Sequence, residues 1–346
     1  MFENLLRNHI KKLVFNPERE SQTVGERSGK ILLDACENPF GSPGDRNFNR
    51  YSGQHINRLV AELAKVKRVD PSQIMLSNGT EEMLQRLLHA FCEPGEDNVL
   101  ICTPTSDLYQ RAALLQNIEV KKVPLNQDFQ LNIEAIAENV DYFTKAIILC
   151  SPNNPTGNAL YFQDIEILLH NFDGLVIVDE AYVNFSKLRS LIGTLQEYPN
   201  LIVLQTLSIA WGLAGLRIAM AVAHPDLIAV LGQLGPYHSA ISQPAAEIAS
   251  GAIEQLELIN SRIKDLVALR NYLAQQLVKL PLIEYVYPSD ANFLLVKCQR
   301  DIVQVVCILK EKGILVRLLP ELPDCMQITV GTLQEIEQLL AELKKL

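Results

Sequence analysis

The stretch GLVIVDEAY (174–182) is a short run of apolar and β-branched residues that ends in two carboxylates and a tyrosine. Three similar runs occur in the same part of the chain: NVLICTP (98–104), AIILCSP (146–152) and NLIVLQTLS (200–208). Helical patterns separate most of these runs, and this alternation is typical of a mainly parallel sheet covered by helices on both faces. The sequence therefore predicts an α/β fold whose ligands lie beyond the carboxyl ends of the strands.

After roughly residue 240 the pattern changes. A long helical segment from about Gln243 to Leu280 precedes the order strand, strand, helix, strand, strand, helix, which is typical of a compact α+β unit. With 346 residues, the chain is long enough for one large and one small domain. We predict an N-terminal segment (1–45) that packs on the small domain, a large ligand-binding domain (46–242) and a small C-terminal α+β domain (243–346).

The composition limits the class of partner. The net charge of −9 argues against nucleic acid or an anionic membrane as the main partner, although a local basic pocket for a small phosphate remains compatible with it. No apolar run reaches membrane-spanning length, and the N-terminus lacks the pattern of a signal peptide. The seven cysteines show no CxxC pair and no metal-binding spacing, so we expect reduced, buried cysteines, no metal site and a cytoplasmic location.

Two motifs place polar side chains at predicted strand ends. In SPNNPTG (151–157), Asn154 precedes a Pro-Thr-Gly turn that can hold its amide rigidly toward a ligand, although an ordinary turn explains the motif equally well. In VDEAY (178–182), Asp179 ends an apolar strand and Tyr182 follows three residues later. A carboxylate in that position needs a partner, for which a pyridinium N–H or a helix N-terminus would serve.

Two further motifs suit a phosphate. LSNGTEE (76–82) is a strand-to-helix turn with Gly79 and Thr80 at a helix N-terminus, where free N–H groups favour anions, although capping alone also explains Thr80. In TLSIAWGLAGLR (206–217), Thr206 and Ser208 can donate hydrogen bonds to phosphate oxygens and Arg217 can pair with them. Each signal is weak alone, but all four at the strand ends of one sheet together indicate a phosphate-bearing ligand.

With these motifs the chain resembles the fold-type I pyridoxal-phosphate (PLP) aminotransferases, and among them the histidinol-phosphate aminotransferase family. The resemblance covers nearly the whole chain in order and spacing, through LDACENPFGSP, NRY, SNGTEE, SPNNPTG, VDEAYVNF, TLSIAWGLAGLR, PSDANFLLVK, GILVR and ITVGT. It implies PLP or its amine form, pyridoxamine phosphate (PMP), as the cofactor, and a homodimer with the active site at the interface. The family reaction transfers an amino group between histidinol phosphate or glutamate and 2-oxoglutarate.

The resemblance also implies roles for individual residues. Asp179 would pair with the pyridine nitrogen, while Asn154 and Tyr182 would bond the phenolic oxygen. Tyr51 would reach the cofactor of the partner subunit, and Arg317 in GILVR would bind the phosphate or distal carboxylate of a phosphorylated or dicarboxylic amino substrate. The phosphate of the cofactor would be held by Gly79, Thr80, Thr206, Ser208 and Arg217.

The chain departs from the family at the residue that carries the chemistry. Where the family has the lysine that forms the Schiff base and moves the proton, this chain has Ile209. Isoleucine has neither a nucleophile nor a titratable group, so it supports neither step. Its neighbours Ala210 and Trp211 are apolar as well, and we expect Ile209 to pack.

Four further positions differ from the family pattern. In the family, an arginine binds the α-carboxylate of the substrate. This chain has Gln327 at that position, which can form hydrogen bonds but carries no charge. Ser106 stands where a tyrosine stacks on the cofactor ring. Cys36 and His238 stand where asparagines are usual. Most residues that anchor the cofactor are thus present, whereas several that grip or transform the substrate are replaced.

Three hypotheses follow. The chain is a histidinol-phosphate aminotransferase-like protein that is impaired or inactive because of Ile209. Alternatively, it is a lysine-less PLP or PMP enzyme in which another base, such as His238, moves the proton, although a lone histidine is more often solvated or structural. The third is a non-catalytic pseudoenzyme, which binds PLP or completes the site of an active partner with Tyr51. The function has to be argued from the site, because fold and ancestry do not fix it.

Overall fold

The computed structural model describes residues 4–14, 31, 33, 35–44, 46–51, 53–234 and 241–346. Within them the helices are α1 (Asn8–Val14), α2 (Gly53–Lys67), α3 (Thr80–Phe91), α4 (Asp107–Leu114), α5 (Ile133–Asn139), α6 (Phe162–Asn171), α7 (Pro225–Gln233), α8 (Gln243–Ile253), α9 (Leu256–Leu277), α10 (Ile302–Glu311) and α11 (Leu333–Leu343). The strands are β1 (Ile74–Ser77), β2 (Asn98–Thr103), β3 (Glu119–Pro124), β4 (Thr144–Cys150), β5 (Leu175–Asp179), β6 (Leu201–Thr206), β7 (Ala219–Ala223), β8 (Ile283–Val286), β9 (Phe293–Cys298), β10 (Arg317–Leu318) and β11 (Cys325–Thr329).

The larger sheet has seven strands in the order β1-β7-β6-β5-β4-β2-β3. Pairing is parallel from β6 through β5, β4 and β2 to β3, and β7 runs antiparallel to both of its neighbours, β6 and β1. The four strands predicted at 98–104, 146–152, 174–182 and 200–208 are confirmed as β2, β4, β5 and β6. The predicted mainly parallel sheet is confirmed as well.

Strand alternation divides the side chains of this sheet between two apolar cores. In β5, Val176 and Val178 join one core, whereas Leu175 and Ile177 join the other. Every residue of β5 is buried, because helices cover both faces. The face on which a residue lies is therefore fixed by its parity along the strand.

The smaller sheet has the order β10-β11-β9-β8 and is antiparallel throughout. Its elements follow the predicted order strand, strand, helix, strand, strand, helix. On one face, Leu294, Val296 and Met326 form a core with α9, α10 and α11. The opposite face is turned toward the large domain, where the Phe293 ring stands edge-on to the Tyr182 ring at 5.2 Å between centroids.

The long helix predicted from about Gln243 to Leu280 consists of two helices, α8 and α9, separated at Glu254 and Gln255. The two helices on either side of this break pack against different parts of the protein. Helix α8 packs on α2 of the large domain, and α9 continues from that core to the core of the small sheet. Arg270 of α9 is buried and donates to the carbonyls of Phe185 (3.4 Å) and Ala291 (2.6 Å), one on each side of the junction.

The N-terminal segment does not pack as expected where the structure describes it. Residues 4–14 lie on the large domain, because Ile10 and Val14 bury their side chains in the core that contains α3. Arg7 adds an ion pair with Glu93 at 3.2 Å. The predicted packing of this segment on the small domain is therefore wrong for residues 4–14, and the domain boundary at 242–243 remains a prediction.

The seven cysteines are all free thiols. Five are buried, but Cys36 and Cys307 are exposed, so the expectation of buried cysteines fails at these two. Cys307 lies on the outer side of the amphipathic helix α10, whose Val305 and Leu309 face the core. None of the described helices combines the length and the apolar character needed to cross a membrane.

Candidate active site

The register of the large sheet brings the ends of its strands into one row. Cys150 at the end of β4 lies opposite Asp179 at the end of β5. Farther along the same sheet, Ala219 of β7 is paired with Ser77 of β1 on one side and with Thr206 of β6 on the other. The motifs that follow these strands therefore meet at the same edge of the sheet, as expected for a ligand site of an α/β protein.

Asp179 presents a buried carboxylate at this edge, with only 4% of its surface exposed. Its Oδ2 accepts a hydrogen bond from the Tyr109 hydroxyl at 3.0 Å, and its Oδ1 accepts one from the Ala181 N–H at 3.0 Å. Burial raises the pKa of Asp179 to about 6, and these two hydrogen bonds counteract part of that rise. A cationic ligand group beside it would favour the ionised form.

Tyr109 belongs to the site although no motif of the sequence pointed to it. It lies in α4, is 1% exposed, and burial beside the Asp179 carboxylate raises the pKa of its phenol well above the ordinary value. The phenol therefore stays protonated and donates to Asp179. The available signal was its spacing: Tyr109 follows Ser106 by three residues and lies on the inner side of the same short helix.

Asn154, Tyr182 and Gln327 form a chain of hydrogen bonds between the two domains. The Asn154 Nδ2 donates to the Tyr182 hydroxyl oxygen at 2.9 Å, and the Gln327 Nε2 donates to the Asn154 Oδ1 at 3.0 Å. Burial raises the pKa of Tyr182 well above its ordinary range, so its hydroxyl remains a donor. The amide of Asn154 is thereby fixed in orientation.

Gly79 and Arg217 lie in direct contact beside the N-terminus of α3. A Cβ on Gly79 would stand 2.6 Å from the Arg217 Nη2, and Gly79 has a φ of +93° that side-chain-bearing residues rarely adopt. Arg217 itself has a left-handed backbone (φ 55°, ψ 47°) after the short 3₁₀ helix Ala214–Leu216. Glycine therefore permits the guanidinium to lie over the first turn of α3.

Hydroxyl groups also lie near the N-terminus of α3. Thr80 is the first residue of α3, and the Thr206 Oγ1 lies 3.0 Å from the Ser208 Oγ. Glu81 in the first turn of α3 would repel an anion, but Arg111 binds both of its carboxylate oxygens at 2.9 Å. Backbone N–H groups, hydroxyls and one arginine thus converge on a position suited to an anion.

These residues enclose a cavity of about 200 Å³, here called the inner cavity, which is lined among others by Asn154, Asp179, Tyr182, Thr206, Ser208 and Arg217. A second cavity of about 570 Å³, the outer cavity, lies between the domains and is lined among others by Asn292, Phe293, Arg317, Gln327 and Thr329. Asn154, Tyr182 and Ile209 line both cavities.

Ile209 therefore stands in the wall that the two cavities share. It is partly buried and packs against the core of the large domain, as the sequence analysis expected, and its neighbours Ala210 and Trp211 are buried. Of the described residues that line either cavity, none is a lysine. Nor do the described residues contain a cluster of three histidine, cysteine or acidic side chains that could hold a metal ion.

Two other predicted residues lie at the rim of these cavities. Ser106 lines the inner cavity and caps α4, where its Oγ accepts from the Leu108 N–H at 3.4 Å. Arg317 lines the outer cavity, and its half-exposed guanidinium lies 3.9 Å from the carboxylate of Asp107. Asp107 is the first residue of α4, so this ion pair connects the large domain to β10 of the small sheet.

Two of the predicted residues that the structure describes are not brought to the cavities. Cys36 is exposed and Tyr51 is 65% exposed, and neither lines the inner or the outer cavity. His238 lies outside the described residues.

Comparison with known proteins identifies the relatives of this chain. Residues 42–343 match the family model of class I and II aminotransferases. The chain belongs to this family. It is 39% identical to the histidinol-phosphate aminotransferase of Flavobacterium psychrophilum over 99% of this chain and 98% of that protein. It is 41% identical to that of Bacteroides thetaiotaomicron over 91% and 90%.

A solved structure shares the fold of this aminotransferase-family chain. The histidinol-phosphate aminotransferase of Sinorhizobium meliloti, solved in complex with pyridoxal-5'-phosphate, superimposes with a TM-score of 0.79 at 21% identity. The superposition covers 90% of this chain and 89% of that one. The resemblance inferred from the sequence, and the predicted fold with a large α/β domain and a small α+β domain, are thereby confirmed.

The buried carboxylate gives a testable dependence of stability on pH. The pKa of Asp179 is about 6 in the folded chain against an ordinary 3.8, so the folded state keeps a proton that the unfolded state loses between about pH 4 and pH 6. Ionised Asp179 therefore destabilises the fold above that window, by up to about 3 kcal/mol. Asp179→Asn removes this titration, so its unfolding free energy relative to the unmodified chain should rise from pH 4 to pH 7.5.

Urea unfolding at both pH values measures this difference. Comparing the same two chains at each pH cancels any effect of the substitution that does not depend on pH. A difference that stays constant, or that falls toward pH 7.5, contradicts the raised pKa.

Proposed function

We propose that the chain is a histidinol-phosphate aminotransferase-like protein that binds pyridoxal phosphate without a covalent link and does not catalyse ordinary transamination. The observation that carries this proposal is the position of Ile209 in the wall common to both cavities, together with the absence of lysine among the described lining residues. The described lining keeps groups suited to the cofactor but offers no amine to form the Schiff base.

The inner cavity fits the phosphate of the cofactor. Arg217 supplies the positive charge, Thr80 stands at the N-terminus of α3, and Ser208 offers a hydroxyl. Gly79 keeps the backbone free of a Cβ at the point where Arg217 lies closest. Because N–H groups at a helix N-terminus and an arginine both favour phosphate, this end of the cavity would anchor the cofactor.

The other end of the cavity fits the ring. Asp179 is buried and accepts two hydrogen bonds, and it has remaining capacity to pair with a protonated ring nitrogen. Asn154 and Tyr182 present the amide and hydroxyl that would bind the phenolic oxygen. When bound, the cofactor supplies an electron-withdrawing ring, which stabilises negative charge on the attached substrate carbon.

Two positions that would serve proton transfer and ring stacking in the family carry other residues in this chain. Ile209 neither accepts nor donates a proton, and Ser106 offers no aromatic face to stack on the ring. Binding would therefore depend on the phosphate, the ring nitrogen and the phenolic oxygen. We expect weaker retention of the cofactor than in a chain with the covalent link and the aromatic stack.

We further propose that two copies of the chain assemble as a homodimer. Four apolar side chains between residues 31 and 51 are strongly exposed: Ile31, Leu33, Phe40 and Tyr51. Large exposed apolar side chains grouped in one segment are typical of an interaction surface. A second copy that covers them would also bring Tyr51 to the site of its partner, as the family resemblance implies.

Reductive trapping tests the missing covalent link. The unmodified chain, incubated with PLP and reduced with borohydride, should show no site-specific phosphopyridoxyl adduct by intact mass and peptide mapping. Ile209→Lys restores the amine and should give one adduct at position 209, whereas Ile209→Met, an apolar replacement of similar length, should give none. A specific adduct on another lysine of the unmodified chain, or appreciable turnover of histidinol phosphate with 2-oxoglutarate, contradicts the proposal.

A second test addresses the phosphate end. In Gly79→Ala the Cβ displaces the Arg217 guanidinium, so PLP affinity should fall at least about tenfold. Trp211 is the only tryptophan, and quenching of its fluorescence provides the titration signal. Gly251→Ala is the control, because an added Cβ there meets open space and should leave affinity unchanged. Equal loss in both variants, or no loss in Gly79→Ala, would refute this role of Gly79.

Sedimentation velocity tests the homodimer. The expected species has twice the chain mass of 38.7 kDa, and Phe40→Asp should shift it toward the monomer because a charge would be buried at the interface. Tyr142→Asp, which places the same charge at an exposed aromatic position elsewhere, should have no effect. A monomer at micromolar concentration rules out the proposed assembly.

A further inference from the structure

We propose that Tyr109 is a positioning residue of the inner cavity, which orients the Asp179 carboxylate and favours its ionised form for pairing with a cationic ring nitrogen. This inference rests on the proposed function and deepens it, since it assigns the pH range of cofactor binding to one hydroxyl group of α4. Its basis is the geometry around Asp179, in which donors from two different elements hold the two carboxylate oxygens.

The Asp179 carboxylate is held at both of its oxygens. Its Oδ1 accepts from the Ala181 N–H, and its Oδ2 accepts from the Tyr109 hydroxyl, each at 3.0 Å. Rotation of the carboxylate about its Cβ–Cγ bond would break both hydrogen bonds. Each oxygen keeps a further lone pair that can accept an N–H of a ligand. The carboxylate is therefore presented in one orientation, and Tyr109 is the donor that acts through a side chain.

The surroundings of Tyr109 direct its proton to Asp179. The residue is 1% exposed, so its hydroxyl cannot turn to bulk water. The nearby Cys150 thiol uses its own proton to donate to the Pro152 carbonyl at 3.3 Å. A hydrogen bond to a charged acceptor is stronger than one to a neutral acceptor, so the bond to Asp179 favours the ionised carboxylate. Burial raises the pKa of Asp179, and this bond lowers it.

The titratable groups that face Asp179 come from three elements. They are Tyr109 from α4, Cys150 from β4 and Tyr182 from the loop after β5. Burial raises the pKa of Cys150 to about 12 and raises the pKa of both phenols above the ordinary value, so all three groups stay protonated near neutral pH. Glu81 and Arg217 also line the cavity, but the described hydrogen bonds to Asp179 come from Tyr109 and Ala181 alone. Asp179 is therefore the group of this set that titrates near neutral pH.

This geometry makes cofactor binding depend on pH. Below the pKa of Asp179, about 6, the carboxyl group must lose its proton before it can pair with a protonated ring nitrogen. Affinity for PLP therefore falls by about tenfold for each pH unit below that value. Without the Tyr109 hydroxyl the pKa of Asp179 is higher, so the fall begins at a higher pH.

PLP titrations between pH 5 and pH 8, followed through Trp211 fluorescence, test this role. In Tyr109→Phe, which removes only the hydroxyl, the pH at which affinity begins to fall should rise by at least about half a unit. Tyr198→Phe is the matched control, because it also removes a buried tyrosine hydroxyl that donates to a carboxylate, that of Glu166, and it should leave this pH unchanged. The ionisation of PLP itself is common to all the chains. In an Asp179→Asn background, Tyr109→Phe should cause no shift.

Urea unfolding tests the same hydrogen bond without the cofactor. The raised pKa of folded Asp179 contributes stability that is present below about pH 4 and is lost as the pH rises through the folded pKa. Tyr109→Phe raises that pKa further, so more stability is lost. The unfolding free energy of Tyr109→Phe relative to the unmodified chain should therefore fall from pH 4 to pH 7.5, and Asp179→Asn should abolish this fall.

The outcomes separate this inference from the proposed function. Absence of PLP binding in the unmodified chain overturns the proposed function, while urea unfolding still tests the hydrogen bond from Tyr109 to Asp179. A Tyr109→Phe variant that loses the same factor of affinity at every pH has lost only packing, and this result overturns the inference. So does a relative unfolding free energy that stays constant with pH, or an equal pH shift in Tyr198→Phe.

Discussion

The hydrogen-bond register of the seven-stranded sheet determines where the strand-end residues Cys150, Asp179 and Thr206 of the inner cavity lie. It sets Cys150 opposite Asp179, and it sets Ser77 and Thr206 on either side of Ala219. Because side chains alternate between faces, a slip of one residue in β5 would move Asp179 from one core to the other. The burial of apolar residues on both faces fixes this register, and the site follows from it.

The same alternation gives two adjacent carboxylates different environments. Glu180 faces the opposite side from Asp179 and accepts hydrogen bonds from Ser190, the Leu191 N–H and Gln205. All three of these hydrogen bonds come from groups of the protein, so Glu180 joins strand and loop. Asp179 accepts fewer bonds and opens onto a cavity. Burial raises the pKa of both groups, but only Asp179 stands where a ligand cation can meet it.

The junction between the domains forms the outer cavity. Helix α9 reaches from one core to the other, and Arg270 ties it to carbonyls on both sides. This arrangement turns β10 and β11 toward the large domain, so that Gln327 bonds Asn154 across the junction. The part of the site that would anchor a cofactor is built from the large sheet. The small sheet contributes to the outer cavity, where Arg317 is the only positively charged residue of the described lining.

The sequence by itself determined the α/β class, the four central strands, the order of the small domain and most members of the inner cavity, including Asp179 and Arg217. These are local signals, since apolar runs and turn residues depend on neighbours in the chain. The contribution of Tyr109, the bond from Gln327 to Asn154, the break between α8 and α9 and the packing of residues 4–14 on α3 were decided by tertiary structure. Each depends on contacts between residues far apart in sequence, which no local pattern encodes.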